Sequence, residues 1–347
     1  MDQAYILRLE KIEEILRFWL RKEPDPRERL WMDPVFSELS ARVPPELLKS
    51  LTLPGWDLLN RGGKRWRPLL MTLICEALGG GDNALPLTPL VEFPHNASLI
   101  HDDIEDNSDT RRGEPAVHIR YGEDAAVNAG TFLYFLPLAC LDRWSAPVGL
   151  KYAVLEQWSL HLRRLHLGQA MDIQWHKNPA VLPAITEYNL MCRLKTGSLA
   201  RLAAVLGGLA SNLQENLTEK KPEIIKEFAE TAETIGIGFQ ILDDVKNLVA
   251  GNPGKKRGDD IAEGKKSLPI LLYLHRRPDR REFAERCFSA AKIRGTTAPE
   301  VEDLIGALTA DGVIAEAEAE GRAYIDSART LFSREKSLLS GFLPFLL

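Results

Sequence analysis

Hydrophobic residues recur at spacings of three and four through most of the chain beyond residue 56, which is the period of an α-helix. No run of alternating strands separated by hairpin turns interrupts this pattern. We therefore expect an all-α fold. The predicted helices cover residues 57–61, 66–78, 88–107, 123–143, 148–171, 184–209, 222–249, 267–275, 281–291, 300–309 and 312–333.

Several of these helices are apolar around most of their circumference. Residues 133–141 and 199–210 are the clearest cases, and a helix of this kind must lie at the centre of a protein or at an interface. Small residues at positions 203, 204, 207, 208 and 210 would let a neighbouring helix approach closely. The pattern predicts a single large helical bundle with a very apolar centre.

The N-terminal part has a different pattern of apolar residues and prolines. Residues 4–20 place apolar side chains on one helical face, and five prolines then divide the chain into short pieces as far as residue 51. We expect residues 1–55 to form a helical extension that packs on the body, and residues 56–347 to form the main all-α domain.

Composition narrows the class of protein. The chain has 347 residues, of which 45% are hydrophobic and 27% charged, as in ordinary globular proteins. A net charge of −5 argues against a nucleic-acid partner. There is no signal-peptide pattern and no uninterrupted apolar run that predicts a transmembrane segment. We expect a cytoplasmic protein, because the four cysteines are scattered and form neither a zinc nor a disulfide pattern.

Two acidic clusters each follow an apolar helical run. The first reads DDIEDNSD from Asp102 and places Asp102 and Asp106 one helical turn apart, while the second reads DDVKN from Asp243. One such cluster is usually a solvated acidic face. Two of them on facing helices would form an oxygen-only cage that suits Mg²⁺, and Mg²⁺ commonly shares its coordination with the phosphates of a substrate. A diphosphate ester is therefore the expected ligand.

Basic residues are clustered at a few points. Gly62-Gly63-Lys64-Arg65-Trp66-Arg67 precedes a helix, where glycines and exposed N–H groups favour an anion, although a surface turn with a solvated basic patch is commoner. Arg111 and Arg112 follow the first acidic cluster. Gln169 with Asp172, Lys195 with Thr196, and the loop from Lys256 to Lys265 are weaker signals. His95 and His101 are more simply partners of polar groups than metal ligands.

Taken in order, the segments GGKRWRP, HNASLIHDDIEDNSDTRRG, GQAMD, KTG, FQILDDVKN and DDIAEGK resemble the all-trans isoprenyl diphosphate synthases, or polyprenyl synthetases. The resemblance runs from Gly62 to Lys265, and its wording is closest to the geranylgeranyl diphosphate synthases. It implies an all-α bundle of the isoprenoid synthase type around a deep central cavity. It also implies a homodimer.

The resemblance assigns roles residue by residue. Lys195, Thr196, Gln240, Asp102 and Asp243 would be the catalytic residues, with Thr196 and Gln240 facing the reacting carbons. Three Mg²⁺ ions in the closed complex would be held by Asp102, Asp103, Asp106, Asp243 and Asp244, supported by Asp172. The allylic diphosphate would bind Arg111, Lys195, Lys256 and Lys265. Isopentenyl diphosphate would bind Gly63, Lys64, Arg67, His95 and Arg112.

The implied reaction condenses isopentenyl diphosphate with an allylic diphosphate into a linear all-trans prenyl diphosphate. Ala97 and Ser98, one turn below Asp102, are small where aromatic residues in the family stop growth at farnesyl length. We therefore expect geranylgeranyl diphosphate, with Tyr134 and Phe135 as a floor of the cavity. A farnesyl or longer polyprenyl synthase is an alternative product class. A class I terpene cyclase and a non-catalytic synthase subunit are alternative functions.

Two positions depart from the family pattern. Asn247 stands where the second motif commonly has its last Asp, which predicts a neutral ligand and weaker binding of one ion. Pro94 lies inside the first acidic helix and predicts a kink two turns below Asp102.

Overall fold

The structure is a computed structural model that describes residues 3–37, 43–178, 181–213, 221–251, 256–334, 339 and 341–346. The expected all-α class is confirmed. The first nine helices are α1 (Gln3–Trp19), α2 (Arg29–Phe36), α3 (Pro45–Asn60), α4 (Trp66–Ala77), α5 (Pro89–Glu105), α6 (Val117–Tyr121), α7 (Glu123–Phe135), α8 (Cys140–Arg143) and α9 (Val148–Lys177).

The second half of the chain is also helical. Its helices are α10 (Ile185–Cys192), α11 (Ser198–Ala210), α12 (Lys221–Val249), α13 (Asp259–Glu263), α14 (Leu268–Arg276), α15 (Arg281–Arg294), α16 (Pro299–Asp311), α17 (Val313–Ser327), α18 (Arg329–Arg334) and α19 (Phe342–Leu346). A π-helical turn, Arg193–Gly197, joins α10 to α11 without a break. Short 3₁₀ turns connect several of the other elements.

Within the described residues, strand structure is confined to one two-stranded hairpin. β1 (Thr110–Arg111) pairs antiparallel with β2 (Glu114–Pro115) directly after α5. Arg112 and Gly113 form the turn with φ of 56° and 79°, and positive φ at both central residues matches the right-handed twist of the strands. The hairpin fixes the directions of Arg111 and Arg112.

The buried hydrophobic side chains form two clusters. The larger one joins α1, α3, α4, α5, α7, α9 and α11, and the smaller one lies under α10, α12 and α14–α17. α11 lies at the centre and packs closely on α4, because a Cβ at Gly207 would lie only 2.4 Å from the Met71 carbonyl oxygen. The small residues of this segment therefore permit close helix approach, as the sequence predicts.

The proline-rich N-terminal region is more helical than its sequence suggests. α2 and α3 both pass through an internal proline, Pro34 and Pro54, and α3 begins at Pro45, where the missing N–H costs no helical hydrogen bond. α1 buries Ile12 and Leu16 in the larger core cluster. The boundary expected after residue 55 falls inside α3, and residues 1, 2 and 38–42 of the expected extension lie outside the described part.

One stretch, Glu123–Arg143, passes the length and hydropathy test for a membrane span, with a mean hydropathy of 1.3 over its best window. Half of that window is buried inside the protein. A 3₁₀ turn that contains Pro137 also divides this stretch between α7 and α8. By length and composition alone it is weak support for a span, because core helices pass the same test.

Candidate active site

A cavity of about 630 Å³ lies where α5, α9, α12 and the π-helical turn meet. We call it the main cavity. Its volume is in the range of small-molecule sites. It brings together most of the side chains that the resemblance assigns to chemistry. Those that line it are Gly63, Arg67, His95, Asp102, Arg111, Arg112, Asp172, Lys195, Thr196, Gln240, Asp243, Asp244 and Lys265.

The Lys195 ammonium links the carboxylates of two helices. It donates to Asp172 on α9 at 2.7 Å and to Asp102 on α5 at 3.2 Å. Burial alone lowers the pKa of Lys195, but Asp102 and Asp172 together raise it above the usual value. Gln169 also donates to Asp102, at 2.7 Å. Lys195 is therefore held as a permanent cation beside the first acidic cluster.

The second acidic cluster is bound into a different network. Tyr188 donates to Asp244 at 2.7 Å, and Gln240 donates to the same carboxylate at 2.9 Å. The Thr196 hydroxyl donates to Gln240 at 2.6 Å. Burial, together with the neighbouring Asp243, raises the pKa of Asp244 to about 6. A bound cation would favour the ionised form of this carboxylate.

The π-helical turn contributes one side chain to each of these two networks. Lys195 contacts α5 and α9, and Thr196 contacts α12. Glycines allow this turn to pack tightly. A Cβ at Gly168 would lie 2.3 Å from the Lys195 backbone nitrogen, and one at Gly236 would lie 2.6 Å from Gly197 Cα. Single π-turns inside α-helices are rare and occur often at functional sites.

Lys265 closes the outer side of the first acidic cluster. It donates to Asp106 at 2.8 Å and pairs with Glu263 at 2.6 Å. Asp106 and Lys256 line a second cavity of about 680 Å³, which also adjoins α13 and α15. The Lys256 backbone N–H donates to Asp259 at 2.6 Å. Asp106 and Lys256 therefore do not line the main cavity, whereas Lys265 does.

Asp103 lies at the base of the first acidic cluster. Its side chain is fully buried and receives the Arg111 guanidinium, whose Nε lies 2.8 Å from Asp103 Oδ1. Burial alone lowers the pKa of Arg111, but Asp103 raises it above its ordinary value. The expected metal ligand Asp103 and the expected diphosphate ligand Arg111 are thus paired with each other, and of the two only Arg111 lines the main cavity.

A group of cations lines the cavity near the Gly62–Gly63 turn. Burial lowers the pKa of Arg67 and of Arg112 to about 10 each. Burial, Arg67 and Arg112 also lower the pKa of His95 well below its usual value. The buried Nε of Arg67 has no hydrogen-bond partner in the described part of the chain. Cations that are buried close together attract an anion, so this part of the cavity suits a diphosphate. We call the part lined by Arg67, His95 and Arg112 the anion-binding corner.

Lys64 is placed differently from the other expected ligands of isopentenyl diphosphate. Its ammonium donates to the carbonyl oxygen of Leu346 on α19 at 2.5 Å, and its side chain does not line the main cavity. Burial lowers the pKa of Lys64. The short C-terminal helix therefore holds this lysine beside the anion-binding corner.

Two expectations about cavity depth need correction. Ser98 and Leu99 line the cavity, but Ala97 is fully buried in the core and faces away from it. Phe135 is 62% exposed on the outside of α7, so it is not a floor of this cavity, and Tyr134 is buried but does not line the cavity either. α5 continues through Pro94 as one helix.

Asn247 does not line the main cavity, contrary to what a ligand role predicts. Its side chain is fully buried, and its Oδ1 accepts the Asp260 backbone N–H at 3.2 Å. Asn247 therefore fixes the start of α13 and is not placed as a metal ligand. A pattern comparison could not show this, because it assigns the position by its place in the motif.

The structure adds residues that sequence reasoning left aside. Glu105 accepts a hydrogen bond from Gln169 at 2.6 Å, and burial raises its pKa. Lys266 lines both cavities and lies over the Phe288 ring. Tyr188 had no sequence signal at all, because its role depends on α10 packing against α12. Glu105 could have been found from its place between the aspartates.

The carboxylates of the main cavity fit Mg²⁺. Among the described residues, no group of three His, Cys, Asp or Glu side chains is assembled closely enough to hold a metal alone. Mg²⁺ takes one or two carboxylates and completes its shell with water and substrate phosphates, so a diphosphate would supply the remaining oxygens. Ammonium groups of Lys195 and Lys265 contact Asp102 and Asp106, which shows that both carboxylates accept a cation.

An all-α bundle whose main cavity is lined by Asp102, by the pair Asp243 and Asp244 and by two groups of cations is suited to diphosphate substrates. The chain belongs to the polyprenyl synthetase family, whose sequence model matches residues 49–304. It is therefore a prenyl diphosphate synthase.

Individual relatives agree with this family. The chain is 33% identical over 304 residues to geranylfarnesyl diphosphate synthase of Aeropyrum pernix, covering 84% of this chain and 89% of that one. It is 32% identical over 233 residues to geranylgeranyl diphosphate synthase of Saccharolobus solfataricus, covering 65% and 67%. The crystal structure of geranylgeranyl pyrophosphate synthetase from Pyrococcus horikoshii superposes with a TM-score of 0.78 at 27% identity, covering 99% of each chain.

Proposed function

We propose that this protein condenses isopentenyl diphosphate with an allylic diphosphate and releases geranylgeranyl diphosphate. The observation that carries the proposal is that Asp102 and Asp243 line one cavity together with two groups of cations, Lys195, Lys265 and Arg111 in the first and Arg67 and Arg112 in the second. Two groups of cations suit two diphosphate substrates. The apolar walls, formed by Leu165, Leu199 and Phe239 among others, suit a prenyl tail.

The allylic diphosphate is proposed to lie between Asp102 of the first acidic cluster and Asp243 and Asp244 of the second. Mg²⁺ bound by these aspartates would neutralise the negative charge that develops on the departing diphosphate. Lys195, Lys265 and Arg111 add fixed positive charges at the same place, where they need no reorganisation during the reaction. The number of ions, expected to be three, rests on the resemblance.

Isopentenyl diphosphate is proposed to bind at the anion-binding corner, where Arg67, Arg112 and His95 line the cavity and Lys64 lies close by. The allylic C–O bond breaks and the double bond of isopentenyl diphosphate attacks the allylic carbon. The new C–C bond then leaves a cation that loses one proton, for which the released diphosphate is the acceptor. Thr196 and Gln240 also line the cavity, and the apolar walls exclude water.

Product length depends on where the growing tail meets the wall. Ser98 on α5 is small and lines the cavity below Asp102, so it leaves space for a tail. The relatives from Saccharolobus solfataricus and Aeropyrum pernix are a geranylgeranyl and a geranylfarnesyl diphosphate synthase, respectively. These observations favour the geranylgeranyl product over the farnesyl product.

A homodimer and a cytoplasmic location are also proposed. Val148 and Tyr152 on α9 are 83% and 67% exposed, and Phe135 on α7 is 62% exposed, so these helices present apolar side chains to the outside. A second copy of the chain would cover such a surface. Tyr152→Glu should then shift the mass measured by light scattering from dimer to monomer. The four cysteines are buried and none forms a disulfide, which supports a reducing compartment.

One assay tests the proposed function. Purified protein is incubated with Mg²⁺, isopentenyl diphosphate and each allylic starter in turn, and product length is read by chromatography. Linear geranylgeranyl diphosphate is expected. A cyclic hydrocarbon formed from a prenyl diphosphate alone would instead indicate a terpene cyclase, and an inactive chain that activates a second synthase would indicate a non-catalytic subunit.

A further inference from the structure

The N-terminal helix makes a charged contact with the turn that precedes the anion-binding corner. Glu13 on α1 accepts the Arg65 Nε–H at 2.7 Å. Arg65 is the one charged residue of the Gly62–Arg67 motif that is buried, at 4% exposed, and yet does not line the main cavity. Neither Glu13 nor Arg65 has a part in the proposed reaction, so the contact calls for a separate explanation.

Arg65 holds four segments of the chain at once. Besides Glu13 it donates to Glu92 on α5 at 3.0 Å. It also donates to the carbonyl oxygens of Leu59, at the end of α3, and Gly62, at 2.5 and 3.1 Å. A planar guanidinium has five donors in a fixed fork, whereas a lysine ammonium is a single point that cannot reach four such acceptors. The residue type at this position therefore matters for geometry as well as for charge.

The Gly62–Gly63 turn is the segment that these bonds hold in place. Its glycines have φ of 86° and 135°, and Arg65 itself has a φ of 48°, which L-residues rarely adopt. A Cβ at Gly63 would lie 3.2 Å from Arg65 Nη1 and 3.1 Å from Arg112 Nη2. Arg112, which lines the cavity, also donates to the Gly62 carbonyl oxygen. Arg65 and Arg112 thus both donate to the same carbonyl oxygen, that of Gly62.

We propose that Arg65 is a positioning residue for the site that binds isopentenyl diphosphate, and that Glu13 of the N-terminal helix keeps Arg65 in place. The proposal rests on the proposed function, because it needs two diphosphate sites that differ in their distance from Arg65. Loss of the contact moves the Gly62–Gly63 turn and with it Arg112, while Lys195 of the allylic site lies on the π-helical turn, which is none of the four segments that Arg65 holds.

The electrostatic effect and the positioning effect of Glu13 on the binding of isopentenyl diphosphate have opposite signs. A carboxylate near an anion site opposes anion binding, so its removal by itself would tighten the binding of isopentenyl diphosphate. A positioning role predicts the opposite result, weaker binding. The sign of the change therefore separates the two effects.

The test uses three variants of the full chain. Glu13→Ala removes the contact, and Arg65→Lys keeps the charge but not the fork. Glu76→Ala is the matched control, because Glu76 also pairs with α1, through Arg8 at 2.6 Å, and makes no contact with the Gly62–Gly63 turn. For each variant the KM of both substrates and kcat are measured. Binding of isopentenyl diphosphate alone, without Mg²⁺, is measured by calorimetry.

Arg65→Lys is expected to raise the KM and the Kd for isopentenyl diphosphate about tenfold, and Glu13→Ala about threefold, with the allylic KM within twofold of wild type. Glu76→Ala should leave all constants within twofold. Equal changes in both KM values, or unchanged or tighter binding of isopentenyl diphosphate in both variants, would overturn the positioning role. If the wild type is active and one of these overturning results is obtained, only this inference is rejected. An inactive wild type would reject the proposed function as well.

Discussion

The Lys195 ammonium lies 2.7 Å from the Asp172 carboxylate, across the gap between the π-helical turn and α9. Lys195 is also within 3.2 Å of Asp102, so one cation compensates carboxylates from two helices before any metal or substrate binds. Lys195 therefore has a structural role as well as a proposed chemical one. The same ammonium that is proposed to meet the departing diphosphate also holds α5 and α9 together.

Replacement of Lys195 by Met should lower kcat/KM for the allylic substrate by a factor of about 100 or more, because it removes a preorganised charge from the place where negative charge develops. Lys195→Arg should retain part of the activity. Steady-state kinetics with isopentenyl diphosphate held saturating is the measurement. A change of less than threefold in Lys195→Met would show that this charge does not act on the reaction.

Product length should respond to Ser98 but not to its neighbour in the chain. Ser98→Phe places an aromatic ring on the cavity wall below Asp102, and we expect a shorter main product by chromatography. Ala97→Phe is the matched comparison, because Ala97 is fully buried and faces away from the cavity. Overpacking at such a site costs about 1–3 kcal/mol, so Ala97→Phe should lower the unfolding midpoint. An unchanged product in Ser98→Phe would place the end of the tail elsewhere.

Restoring the family's Asp at position 247 should not strengthen metal binding. Asn247 is fully buried and accepts the Asp260 backbone N–H, so Asn247→Asp would bury an extra carboxylate. We expect a lower free energy of unfolding and an unchanged Mg²⁺ dependence of kcat. Half-saturation at a clearly lower Mg²⁺ concentration in the variant would restore Asn247 as a ligand position.

His161 should make the protein less stable in mild acid. Burial, with help from Arg164 and Arg201, lowers the pKa of His161 to about 3. The unfolded chain therefore binds a proton near its ordinary pKa of 6.5 while the folded protein does not. The stabilisation is complete above pH 6.5 and is lost as the pH falls toward 3, with a loss of about 2 kcal/mol at pH 5.

The measurement is urea unfolding at pH 7 and at pH 5. Other groups also titrate in this range, so the informative quantity is the difference between wild type and His161→Gln. The variant should lose about 2 kcal/mol less than wild type between the two pH values. Equal losses in both proteins would mean that His161 is protonated in the folded state.

The sequence predicts the starts of three helices almost to the residue, but not every end, since α9 continues to Lys177 beyond the expected residue 171. α4, α9 and α12 begin within a residue of their expected starts, because each carries an unbroken apolar period. The helices of the proline-rich region escape the same reasoning, since Pro34 and Pro54 are tolerated only through packing on the body.

The site could be predicted at the level of its clusters but not of every side chain. The ordered motifs identify the helices, and the structure places Asp102, Asp243 and Arg67 on one cavity. Which of Ala97 and Ser98 faces that cavity follows from a rotation of about 100° per residue, which places Ser98 about 40° and Ala97 about 140° from the direction of Asp102, so the sequence could have separated these two. The bond from Lys64 to Leu346 joins residues too far apart in the chain for any local pattern to show it.

The π-helical turn at Arg193–Gly197 makes the enzyme unusually sensitive to chain length at that place. A π-turn amounts to one extra residue in an otherwise regular helix. Deletion of a single amino acid there would give an ordinary α-helix of the right length for α10 and α11, so the protein could still fold. Lys195 or Thr196 would then point about 100° away from its present direction. The deletion variant would fold but lose activity, so it would separate the two properties more cleanly than most point substitutions.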